Sequence, residues 1–87
     1  MSNELPEATF INFLSGLGSQ ALMQFGEIPN PHTGQREANL GFAAYTVQLL
    51  KILKEKTEGN RSAEEDSYLD TMLGDLEARL AQALGDG

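Results

Sequence analysis

The stretch Gly26-Glu27-Ile28-Pro29-Asn30-Pro31-His32-Thr33-Gly34 constrains the fold of this chain more than any other. It holds two of the three prolines and the only histidine, and it stands between two apolar segments with helical spacing. Each proline fixes its own φ and drives the residue before it, Ile28 or Asn30, toward extended backbone, so no helix runs through. Thr33-Gly34 reads as a turn. The connection covers about residues 27–38, longer than the roughly two to eight residues usual between helices. Ile28 is the one large apolar side chain expected to anchor it, making the loop a rigid clip between a first helix and the rest.

Three helices follow from the spacing of apolar residues. In residues 7–25, Phe10, Phe13, Leu14, Leu17, Ala21 and Phe25 recur every three or four positions, with Pro6 suited to the start and Gly26 to the stop. Gly16, Gly18 and the small Ser15 and Ser19 lie in mid-helix, where each glycine costs about 1 kcal/mol relative to alanine; close approach of another backbone is the expected reason. Asn39 is a good N-cap for a second helix that runs to about Thr57 and ends at Gly59-Asn60. That helix carries two stripes. One is Leu40, Ala43, Val47, Leu50 and the stem of Lys54; the other is Phe42, Tyr45, Leu49, Ile52 and Leu53. Two stripes predict a central helix with neighbours on both sides. Ser62-Ala63-Glu64-Glu65 is a capping box that opens the third helix, along which Leu69, Met72, Leu73, Leu76, Leu80, Ala83 and Leu84 form one amphipathic stripe. The short link between the second and third helices favours an antiparallel hairpin. No alternating strand pattern and no repeat is present, so the expected fold is all-α: one domain over 1–87, with residues 1–6 and 85–87 frayed.

Length makes such a domain marginal. A chain of 87 residues buries only about 60–65% of its unfolded surface, and small domains usually add disulfides, metals or partners. With no cysteine and one histidine, disulfides and thiolate sites are excluded and an imidazole zinc site is disfavoured. Self-association is the remaining common route. The net charge of −7 disfavours binding to nucleic acid. It is concentrated from Ser62 to Gly87, where Glu64, Glu65, Asp66, Asp70, Asp75, Glu77 and Asp86 stand against Arg79 alone. No apolar run of about twenty residues predicts a membrane span. The first residues lack the basic and apolar pattern of a signal peptide, so a cytoplasmic protein is expected.

Several residues in fixed order resemble a known family. Gln20-Ala21-Leu22-Met23, Gly26, Ile28-Pro29-Asn30-Pro31, Thr33-Gly34 and Asn39-Leu40 are followed by Leu49-Leu50, Leu53-Lys54-Glu55-Lys56-Thr57, Gly59-Asn60 and Glu64-Glu65. This order is similar to that of a bacterial family of small proteins, the domain of unknown function 1844, over about residues 10–80. The resemblance implies a helical fold in a bacterial cytoplasm and implies no activity. Gln48 departs from the pattern where an acid is expected, and Arg61 where leucine is usual.

The residues offer little chemistry. His32 is the obvious general base, yet catalysis needs a hydroxyl or carboxylate brought to it, and nothing in the spacing singles out Thr33 or Thr46. It is expected to be an exposed turn residue. Glu64, Glu65, Asp66 and Asp70 lack the alternating ligands and glycine bend of a calcium loop, and the positive helix start explains three of them. Lys51, Lys54, Lys56 and Arg61 form a small basic cluster expected to pair with the acidic third helix. No cofactor, metal or catalytic residue is therefore expected. The expected role is a non-catalytic, self-associating module, most simply a homodimer, with an unidentified protein partner also open. Phe10, Phe13, Leu14 and Leu17 would make core or dimer contacts and Gly18 would permit close approach, while Asn30, His32 and Thr33 are displayed on the loop. The alternatives are a small-ligand binder or enzyme with a pocket at the dimer seam, using His32 or Tyr45, and a subunit of a heteromeric complex.

Overall fold

Each helix of the chain begins where a side chain can accept from a free backbone amide. The computed structural model describes residues 5–85 and contains α1 (Phe10–Gln24), α2 (Leu40–Lys56) and α3 (Ala63–Gly85). Thr9 Oγ1 accepts from the amide of Asn12 at 3.0 Å, and Asn39 Oδ1 accepts from that of Phe42 at 3.1 Å. At α3 the capping box is complete: Glu65 N–H donates to Ser62 Oγ at 3.1 Å and Ser62 N–H to Glu65 Oε1 at 2.8 Å. α1 starts later than the expected residue 7. The Asn12 amide side chain also donates to the Glu7 carbonyl at 2.8 Å, which binds the residues before Thr9 in a non-helical conformation.

The ends are equally local. After α1, Gly26 adopts φ 80° while Gly26 N–H donates to Met23 O and Glu27 N–H to Leu22 O, the two bonds of a Schellman ending. After α2, Gly59 takes φ 82°. Of the ends expected to fray, residues 1–4 and 86–87 lie outside the described residues. Leu5 and Pro6 are exposed and non-helical, whereas Gly85 is the last residue of α3.

All three helices pack on one another. The core is Leu14 and Ala21 of α1, Ala43, Val47 and Leu50 of α2, and Leu69, Leu73 and Leu76 of α3. Ion pairs between Lys51 and Glu77 and between Lys54 and Asp70, both at 2.8 Å, set α2 and α3 antiparallel. Arg79 reaches Glu27 at 3.2 Å, so the far ends of α1 and α3 lie together and those helices run parallel. The order is up, down, up. α3 spans about 34 Å against about 25 Å for α2 at 1.5 Å per residue. It therefore outruns its neighbours: Leu80 is half-buried and Ala83 and Leu84 are exposed, so the expected stripe is covered only to Leu76.

Two expectations about packing need correction. α2 touches both other helices, but mainly through one stripe; of the second, only Leu53 packs against the core, while Phe42, Tyr45 and Ile52 are exposed. Neither Gly16 nor Gly18 of α1 admits a second backbone within the chain. A Cβ on Gly18 would meet the thioether end of Met72 at 2.8 Å, whereas one on Gly16 would meet nothing within 4 Å.

Candidate interaction surface

The fold leaves one apolar stripe of α2 largely uncovered. Phe42, Tyr45, Leu49 and Ile52 follow a three-four-three spacing, the a/d pattern by which one helix seats against another. Phe42, Tyr45 and Ile52 retain 57%, 55% and 50% of their exposure, and Leu49 is half-buried beside them. The Phe42 and Tyr45 rings meet edge to face at 6.4 Å, which stiffens this end of the stripe. On α1, Phe13 is 53% exposed. It lies eleven residues, three helical turns, before Gln24, whose Oε1 accepts a 2.7 Å bond from the buried Thr46 hydroxyl on α2. Phe13 therefore shares with Gln24 the side of α1 that borders the α1–α2 seam.

The other residues singled out from the sequence are placed differently. Leu14 and Gly18 are buried, and Phe10 and Leu17 pack against the core, so of the α1 set only Phe13 is open to a partner. In the loop, Asn30 is structural. Its side-chain oxygen accepts from His32 N–H at 2.8 Å, its carbonyl accepts from the amides of Thr33 and Gly34, and its own amide donates to Gln35 O. Thr33 Oγ1 accepts from Gln35 N–H at 3.2 Å. These bonds and the φ of 73° at Gly34 close residues 30–35 into a tight knot. His32 is exposed, and among the described residues no hydroxyl or carboxylate is bonded to its ring. Ile28, the expected anchor, is exposed and outside the core. The loop is held by backbone instead: Asn39 N–H donates to Gln24 O at 2.7 Å, and Ala38 packs over Gly26.

Most of the basic cluster is engaged by acids, as its position in the hairpin implies. The hydrogen bond from Lys54 and its charge hold the Asp70 carboxyl below its ordinary value, and Asp70 in turn raises Lys54. Arg61, with a side chain only 7% exposed, plugs the end of the α2–α3 hairpin. Its guanidinium binds Asp66, the Lys54 carbonyl at 2.6 Å, Thr57 Oγ1 at 2.8 Å and Glu58 at 3.4 Å. The Asp66 bond contributes most to raising its pKa. Among the described residues no group of acids or histidine is arranged to hold a metal. An open groove of about 470 Å³ between α1 and α3 is lined by Gly18, Leu22, Met72 and Leu76 with Ser15 and Asp75 at its rim; Asp75 is already paired with Arg79. No described helix is long and apolar enough to cross a membrane.

The family model described as a domain of unknown function (DUF1844) matches residues 7–82. The chain belongs to that family. The matched region takes in all of α1 and α2, the knot at residues 30–35 and nearly all of α3, so the apolar stripe lies within the DUF1844 domain itself. No curated protein and no solved structure shows significant similarity to the chain.

Proposed function

We propose that this DUF1844 chain is a non-catalytic helical module that acts by self-association, as a cytoplasmic homodimer. The observation that carries this reading is the open stripe on α2, where Phe42, Tyr45 and Ile52 are exposed and Leu49 is half-buried, with Phe13 exposed on α1. Apolar side chains at this spacing on an open helix face are what an interface offers, whereas isolated exposed apolar residues need no explanation.

Sedimentation equilibrium over a range of concentrations tests the proposal. A dimer that dissociates when Phe42 and Ile52 are both replaced by serine, with helicity retained, is the expected result. A wild-type chain that stays monomeric at micromolar concentration and melts cooperatively overturns it. The rival enzyme or ligand-binding reading would use His32, which is exposed in the loop, and Tyr45, whose ring packs edge to face against Phe42.

A further inference from the structure

Resting on the self-association just proposed, we infer that the partner is a second copy docked antiparallel along α2, with Phe42 opposite Ile52 of the other copy and Tyr45 opposite its Leu49. The stripe is symmetric about its middle: its four members lie at 42, 45, 49 and 52, so reversing the helix maps each apolar position onto another. A two-fold axis perpendicular to α2 near residue 47 therefore seats the stripe on itself without a gap, as an isologous contact requires. Charge selects this direction over the parallel one. Lys56 continues the stripe one step further, is exposed, and is the α2 lysine that forms no ion pair within the described chain. In a parallel pair it would face its own copy, and the two negative helix ends would lie side by side. In the antiparallel register Lys56 comes opposite Ala38 of the other copy, next to Glu37, an exposed acid that has no ion pair within the described chain. The area comes near the lower bound of a specific interface. With aromatic side chains offering about 200 Å² each, the exposed halves of Phe13, Phe42, Tyr45 and Ile52 come to about 400 Å² per copy. Pairing then buries roughly 800 Å² before its rim is counted, approaching the ~1,000–1,200 Å² at which specific interfaces begin.

The absence of cysteine makes the geometry directly readable. Single variants Phe42→Cys and Ile52→Cys, and separately Tyr45→Cys and Leu49→Cys, are mixed in pairs and treated with a short thiol-to-thiol crosslinker, the products being resolved by mass. The expected result is that each mixture yields the mixed dimer and that Phe42→Cys or Ile52→Cys alone loses nearly all crosslinking. Efficient crosslinking of Phe42→Cys to itself and of Ile52→Cys to itself shows a parallel pair and overturns the inference. So does a wild-type dimer by sedimentation whose four variants remain dimeric and yet give no crosslinked product, which moves the interface elsewhere while leaving self-association standing. A second check uses charge: Lys56→Glu weakens the dimer, and adding Glu37→Lys restores it. Failure of the second substitution to restore association rejects the register.

Discussion

At the level of single residues, stability turns on small groups with specific neighbours. Gly16 faces open space in the middle of α1, so nothing opposes a methyl group there. Gly16→Ala is expected to raise stability by about 0.5–1 kcal/mol through helix propensity alone, read as a higher denaturant midpoint. A lower midpoint would reveal an approach to α1 that the single chain does not contain. Thr46 is the buried polar side chain among the described residues, and its hydroxyl bonds Gln24 at 2.7 Å. Thr46→Val preserves shape but strands the Gln24 oxygen, at a cost of about 1 kcal/mol. Urea titration of the variant measures it, and an unchanged midpoint would mean that Gln24 turns to water instead. Neither effect was readable in the sequence. The partner of Thr46 lies 22 positions away, and the side chain that crowds Gly18 is that of Met72 on another helix.

For whole helices, the boundaries are the most secure part of the architecture because their causes lie within a few residues. Asn39, Gly26, Gly59 and the Ser62–Glu65 box each do what their types and spacing imply. Ser62→Ala removes the acceptor for Glu65 N–H and is expected to cost about 1 kcal/mol. The thermal midpoint reports it, and no change would show that α3 finds another cap. Thr9 escaped notice as the start of α1 because Pro6 and Glu7 offer an equally ordinary helix start three residues earlier. The bond from Asn12 to Glu7 O decides between them. Arg61 shows a different limit. Only the folded hairpin shows that its guanidinium fills the end of α2 and α3 by bonding Asp66, Lys54 O and Thr57 together.

The molecule as a whole is thin and open. Its extents are 38 × 38 × 16 Å and its radius of gyration is 14.2 Å, against about 12 Å for a compact domain of this length. Such a shape leaves surface charges near water, and their contribution depends on pH in a calculable direction. The Lys54 bond lowers the Asp70 carboxyl, so the folded state holds that carboxylate ionised more strongly than the unfolded chain does. The resulting stabilisation is present above the ordinary carboxylate range and is lost as pH falls through the lowered value. Asp70→Asn is therefore expected to lower the thermal midpoint slightly near neutrality and to leave it unchanged in strong acid. Equal loss at both extremes would show that the pair with Lys54 is not its source. Salt should diminish the neutral effect, since both partners are exposed.

The amino-acid order alone determined that the chain is three helices, where the second and third begin, where each ends to within about a residue, and that acids of the last would meet lysines of the second. Those features depend on interactions spanning a few residues or on the short link at Gly59. It also contained both apolar stripes of α2 without distinguishing them, because Ala43–Val47–Leu50 and Phe42–Tyr45–Leu49–Ile52 are each adequate to pack a neighbour. Tertiary structure made the choice. α1 and α3 converge on the slimmer stripe, where Ala43 and Val47 let helix axes approach, and the bulkier aromatic stripe is left facing out. Which face is covered depends on the summed packing of two distant segments, and periodicity along a single helix carries no record of that sum.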